Sequence, residues 1–372
     1  MRFETKAIHA GLEIGNPSKA IIPPISPTTI YEIDADGRKD GDLHYTRLGN
    51  PNRLQFEHLI AELEGGETAA AFSSGIAAAS AVLQSLDPGD HIIIPEDVYA
   101  GNRKMVKQIM KRWGLKSDFI NMTTLENIEA HLKPETKLIW IETPSNPLMR
   151  ITDITGVAKL AGSHSIKTIV DNTWPTPVNQ LPIQLGADLV LHSTSKYFGG
   201  HSDILGGAVV ARKNDVFFER LQLIQKMGGA VPSPQDCWML SRSTRTLSYR
   251  MKGHNDHAAL VAEFLLNHPK VADVYYPGLA SHPGHEIAKM QMKNYGGMVS
   301  FIVDGNQEES INIVGRSKLI KRATSLGGVE STWEHRQSSE GEGSVTPKNL
   351  IRISVGLEHP DDIIEDLEKA LG

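Results

Sequence analysis

From about residue 53 onward, apolar positions switch repeatedly between helical and strand spacing, and that alternation predicts a layered α/β protein. Residues 54–63 carry apolar side chains at helical spacing and stop at Gly65-Gly66. Residues 76–86 are Ala-rich and follow Ser73-Ser74-Gly75 directly. Short β-branched runs then recur at 91–94, 138–141, 168–170 and 189–191, separated by helical stretches near 103–112, 125–132 and 156–161. Buried strands separated by helices imply a mainly parallel sheet covered on both faces. Residues 208–211 read as one further strand, antiparallel because so few residues precede it.

The rhythm changes after about residue 240. A long helical segment over 248–266 leads to strands at 271–275, 298–303 and 351–355 and a last helix over 361–371, the pattern of a smaller α+β domain. The Ser-, Gly- and Glu-rich run 336–347 reads as a loop. The first 45 residues hold Pro17, Pro23, Pro24 and Pro27 and little periodicity, which favours extended backbone. Such an arm packs on its own body or on another subunit. The expected division is therefore an extended arm (1–45), an α/β domain (46–240) and a C-terminal α+β domain (241–372).

Composition narrows the class. At 372 residues the chain suits two domains, and 40% apolar with 22% charged residues is the profile of an ordinary globular protein. The formal charge of −6 comes without any basic block, so no nucleic-acid surface is expected. One cysteine, Cys237, permits no intrachain disulfide and fits a reducing compartment. Its neighbours Asp236, Trp238 and Met239 supply neither base nor positive charge, so it reads as a structural thiol. Residues 1–13 lack the apolar core of a signal peptide, and no apolar run approaches the roughly 20 residues that span a bilayer. Cytoplasm is the default location, with no membrane partner.

Three segments carry candidate chemistry. His192-Ser193-Thr194-Ser195-Lys196-Tyr197 follows a buried strand and precedes Gly199-Gly200. Ligands of open α/β sheets gather at such strand ends, and a lysine there suits an amine that attacks a carbonyl carbon, or is simply a surface lysine. Asp171 ends the strand Thr168-Ile169-Val170. It either caps a turn or holds a pyridine nitrogen protonated, which would make a pyridoxal phosphate (PLP) ring an electron sink. Ser73-Ser74-Gly75-Ile76 opens an Ala-rich helix, whose free N–H groups and dipole favour phosphate. Neither GxGxxG nor GK[ST] is present, which disfavours a nucleotide-binding protein. His254 with His257 and His282 with His285 lack a third ligand and read as packing or turn residues, so no metal is expected. Glu142 reads as serving a strand end.

With these residues in view, the chain resembles the Cys/Met-metabolism family of PLP enzymes, which includes cystathionine γ-synthase, the cystathionine γ- and β-lyases, methionine γ-lyase and the O-acylhomoserine sulfhydrylases. The resemblance begins at Ile8-His9-Ala10-Gly11 and runs through Tyr45-Thr46-Arg47-Leu48-Gly49-Asn50-Pro51 and Asp97-Val98-Tyr99. It continues in Glu142-Thr143-Pro144-Ser145-Asn146-Pro147, Val170-Asp171-Asn172-Thr173, the Lys196 segment and Gly200-His201-Ser202-Asp203. It closes with Ser325-Leu326-Gly327-Gly328-Val329-Glu330-Ser331 and Arg352-Ile353-Ser354-Val355-Gly356-Leu357-Glu358.

The resemblance implies fold type I, the aspartate-aminotransferase-like fold, with PLP as cofactor and a small-molecule sulfur amino acid as substrate. It implies Lys196 as the Schiff-base lysine and proton carrier, Asp171 on the pyridinium nitrogen, and Tyr99 stacked on the ring and assisting at the leaving group. Gly75, Ile76, Ser193 and Ser195 would bind the phosphate, and Asn146 would sit near O3′. Arg352 would clamp the substrate α-carboxylate with help from Ser331. Tyr45 and Arg47 would reach the phosphate of a neighbouring subunit's cofactor, within a homotetramer built as two dimers.

Glu330 resembles the γ-acting members, whereas β-lyases often carry tyrosine there. The expected reaction is therefore that of a cystathionine γ-lyase. The alternatives are γ-synthase or sulfhydrylase chemistry, then β-lyase or methionine γ-lyase, and a PLP-binding protein without catalysis. Two departures fall where substrate is read. His44 stands where several γ-acting relatives have an acidic residue. Arg336-Gln337-Ser338-Ser339-Glu340-Gly341 replaces the family's Met-Thr-His segment.

Overall fold

The computed structural model describes residues 1–37, 43–340 and 344–372. Seven strands form the larger sheet: β1 Thr68–Phe72, β2 His91–Pro95, β3 Lys116–Ile120, β4 Thr136–Glu142, β5 Lys167–Asp171, β6 Leu189–His192 and β7 Gly207–Ala211. Their order is β1-β7-β6-β5-β4-β2-β3. Strands β2 to β6 run parallel, and β7 is antiparallel to both of its neighbours, β1 and β6. The strand expected at 208–211 thus has the expected direction. Nearly every residue of β2, β4, β6 and β7 is buried, because helices cover both faces of the sheet.

Local chemistry sets the element ends. Asn50 caps helix Pro51–Glu64 by accepting from the N–H groups of Asn52 and Arg53, Pro51 fits the first turn, and Gly65 ends the helix at φ +74°. Ser74 caps helix Gly75–Gln84 through a 3.1 Å bond from Ala77 N. The arm is not extended throughout: helix Phe3–His9 buries Ala7 against the core beside helix Pro51–Glu64. Phe3 and Ala10 pack against the same core. Two helices, Val216–Gly228 and Pro234–Thr244, occupy a stretch in which the apolar pattern placed no element.

Five strands form the second sheet: β8 Val271–Tyr275, β9 Met298–Val303, β10 Lys321–Arg322, β11 Thr332–His335 and β12 Leu350–Ser354, in the order β10-β11-β12-β9-β8. Helices Leu247–Leu266, Gln307–Arg316 and Pro360–Leu371 pack on it around Trp333, Phe301 and Ile351. The expected loop at 336–347 is partly helical. Residues Arg336–Glu340 form a short helix held by an Arg336–Glu340 ion pair at 2.9 Å, and residues 341–343 lie outside the described residues. Among the described residues, no helix is long and apolar enough to cross a membrane.

Candidate active site

Parallel register brings three strand ends together. Glu142 of β4 lies opposite Asp171 of β5, and Asp171 lies opposite Leu191 of β6. A cavity of about 580 Å³ opens there, between the large sheet and the 323–336 segment with Arg352 of the small one. Of the residues expected at the site, Gly75, Ile76, Tyr99, Asn146, Asp171, Ser193, Ser195, Lys196, Glu330 and Arg352 line it.

Lys196 sits just beyond β6, and its Nζ donates to Ser325 Oγ. Burial, then the positive charge of Arg352, lowers its pKa from 10.5 to about 8. The amine is therefore far more often neutral near physiological pH than an exposed lysine. In the same cavity, Asp171 Oδ1 accepts from Thr173 N at 3.1 Å. Burial raises the Asp171 pKa. Burial and the nearby Asp171 charge push Glu142 well above the usual carboxylate range. Two adjacent buried carboxyls hold a proton more readily than a second negative charge. A cation delivered between Asp171 and the cavity would relieve that strain on Asp171. Glu142 Oε2 also accepts from Tyr99 N at 3.0 Å, which fixes the backbone that carries the half-exposed Tyr99 ring.

At the other side, the start of helix Gly75–Gln84 presents the N–H groups of Gly75 and Ile76, which have no intrahelical acceptor. A Cβ on Gly75 would come within 2.8 Å of Ser193 Cβ and 2.9 Å of its Oγ, so glycine keeps this notch open. Ser193 N donates to Thr173 Oγ1 at 2.9 Å, and Ser195 Oγ accepts from Gly206 N at 2.9 Å.

Arg352 is buried over the Trp174 ring, 5.7 Å from its centroid. Its Nη1 donates to Asn146 Oδ1 at 2.8 Å and its Nη2 to Ser325 O at 3.3 Å and to Glu334. Glu334 also accepts from Arg336 Nη1 at 2.8 Å. Glu330 accepts from Ser202 Oγ within the cavity.

Three expected residues are not brought to the cavity. The Ser331 hydroxyl donates to Glu358 Oε2 at 2.8 Å and accepts from Gly356 N at 2.8 Å, and Ser331 N donates to Glu358 Oε1. Tyr45 and Arg47 lie outside the cavity of their own chain, where Arg47 Nη1 donates to Lys226 O at 2.5 Å and its guanidinium stacks over the Tyr45 ring.

The sequence reading did not single out Arg336, Ser325 or Ser202. Ser325 and Ser202 were visible only as parts of matched motifs, and Arg336 sat in a run read as loop. The four histidines make local hydrogen bonds, and His282 Nδ1 accepts from Gly284 N at 3.1 Å. His254 Nδ1 bonds to Val355 O, His257 Nδ1 to Gly356 O and His285 Nδ1 to Pro277 O, and no metal-ligating cluster is found among the described residues. Cys237 is fully buried and its thiol pKa is pushed up by burial, as a structural thiol requires.

These groups fit PLP in kind: a lysine shifted toward its neutral form for the aldehyde, a buried carboxyl for the ring nitrogen, and an open helix start for the phosphate. A layered fold with this constellation at its strand ends defines a PLP-dependent enzyme of fold type I. The family model for Cys/Met metabolism PLP-dependent enzymes matches residues 4–372, and the chain belongs to that family. It is 43% identical over 374 residues to the cystathionine gamma-synthase of Mycobacterium tuberculosis, covering 99% of this chain and 96% of that one. It is also 43% identical over 378 residues to the cystathionine beta-lyase of Lactococcus lactis subsp. cremoris, covering 99% and 98%. Among solved structures, the cystathionine gamma-lyase of Lactobacillus plantarum complexed with L-serine superposes with a TM-score of 0.93 at 38% identity, covering 100% of this chain and 98% of that one.

Proposed function

We propose that this enzyme acts at Cγ of L-cystathionine and, with water, releases cysteine, 2-oxobutyrate and ammonia. The observation that carries this reading is Glu330, whose carboxylate lines the cavity beside Ser202 at the position where the resemblance implies tyrosine for β-lyases.

When bound, PLP supplies an electron sink for charge that develops at Cα. This chain's residues do the rest. Lys196, an amine with a pKa of about 8, removes the Cα proton and carries it onward. Asp171 would keep the ring nitrogen protonated, the Gly75–Ile76 helix start with Ser193 and Ser195 would hold the phosphate, and the Tyr99 ring would pack on the cofactor. Asn146 accepts from Arg352 and so orients it, and would lie near O3′ of the bound cofactor. Arg352 fixes the substrate α-carboxylate, and so aims the Cα proton at Lys196.

Tyr45 and Arg47, outside their own cavity, belong in this reading to the cofactor site of a second copy, within a tetramer of two dimers in the cytoplasm. The same reading divides the chain into an arm (1–45), a cofactor-binding part (46–240) and a C-terminal part (241–372).

A second reading, γ-replacement as in a cystathionine γ-synthase, is favoured by the mycobacterial relative. Product analysis separates the two. Cysteine plus 2-oxobutyrate from cystathionine, absent in Lys196→Ala, supports the lyase. Turnover only of an O-acylhomoserine with cysteine supports the synthase. Homocysteine plus pyruvate refutes the use made of Glu330.

A further inference from the structure

Arg352 does not meet the cavity as a bare cation. Glu334 lies directly opposite it in the β11–β12 register and accepts from its Nη2. Burial works against the Glu334 charge, but Arg352 and Arg336 together outweigh it and hold the carboxyl below its usual range. An anion on the fork of Arg352 cancels much of the charge that an incoming carboxylate needs, and repels that carboxylate as well.

Arg336 restores the balance. Its Nη1 donates to the same Glu334 oxygen that Arg352 binds, so two guanidinium groups flank one atom. Arg336 is only 4% exposed and lines the cavity. Its Nε is fixed by Glu340 at 2.9 Å, and Glu340 is itself anchored by Ser344 and by Thr346 at 2.7 Å. The Nη2 of Arg336 has no hydrogen-bond partner among the described residues. Arg336 shares the cavity wall with Lys196 and Glu142. Arg336 also opens the run that stands where the resemblance implies a Met-Thr-His segment, in the part of the chain expected to read substrate.

We propose that Arg336 is a second carboxylate-binding residue, receiving the substrate α-carboxylate together with Arg352, with Glu334 as the brace between the two forks. This rests on the reading of the cavity as the amino-acid site of a PLP enzyme.

The test is titration of the PLP-loaded protein with L-alanine and with ethylamine, followed by the cofactor's absorbance. Arg336→Met raises the Kd for L-alanine about 10- to 100-fold, the range of a lost charged hydrogen bond, and leaves the ethylamine response unchanged. Arg336→Lys keeps the charge without the fork and loses less. Should Arg336→Met fail to hold PLP, the lysine variant carries the test: a loss specific to L-alanine supports the proposal and none overturns it. Unaltered L-alanine affinity in Arg336→Met overturns it, as does equal weakening toward ethylamine. Arg352→Met separates this from the underlying reading. If that variant also binds L-alanine normally, no carboxylate docks at this end and the site reading itself fails.

Discussion

Removing the cofactor exposes the Lys196 amine to direct titration, and the structure sets where it should titrate. Burial and Arg352 bring its pKa from 10.5 to about 8. At pH 7.5 about a quarter of such amines are neutral, against about one in a thousand for an unperturbed lysine, a gain of roughly two hundredfold in nucleophile. Stopped-flow recombination of the apoprotein with PLP, read by the appearance of the yellow chromophore, should therefore accelerate with pH and level off above a midpoint near 8. Arg352→Met removes the second cause but not the first. Its midpoint should move upward and still remain below that of a free lysine. A wild-type midpoint near 10, or one indifferent to Arg352→Met, would refute this account of Lys196.

Three further outcomes follow from the same structure. His254 is buried, and burial lowers its pKa from 6.5 to about 4, so the unfolded chain takes up the proton first. Stability is unaffected above pH 6.5 and falls by about 3 kcal/mol as pH drops from there to about 4, a loss that urea melts of His254→Gln should not show. Glu64 accepts from His192 Nε2 at 2.5 Å and from Asn172 Nδ2 at 2.8 Å, with all three side chains buried. Glu64→Leu leaves His192 Nε2 without its partner and Asn172 Nδ2 with only its 3.0 Å bond to Gln180 O, and should cost about 2–5 kcal/mol in denaturant melts. If Tyr45 and Arg47 serve a neighbour's site, inactive Arg47→Met and inactive Lys196→Ala proteins should regain activity when unfolded and refolded together, because one site of each hybrid dimer is intact. No recovery in verified hybrids would place Arg47 outside the neighbour's site.

The large sheet was legible because β2, β4, β5 and β6 are continuous apolar runs, and burial on both faces demands such runs. Strand β1 was not: Thr68-Ala69-Ala70-Ala71-Phe72 has poor strand propensity and forms because β7 pairs with it along its whole length. Helix Val216–Gly228 was also missed, although the structure shows capping residues at both ends, Asp215 and Gly229. At the site, the residues that meet cofactor chemistry sit in contiguous motifs at strand ends, where spacing reveals them. Arg336 could not be found that way. Its place depends on Glu334 facing Arg352 across two strands, a long-range register that the local composition of 336–347 does not encode.

The central claim is that Lys196 carries PLP. Borohydride reduction of the PLP-loaded protein, followed by peptide mass spectrometry, tests it directly. A phosphopyridoxyl group on the peptide containing Lys196, absent from Lys196→Ala, is the predicted result; stoichiometric labelling of another lysine, or none, would contradict it.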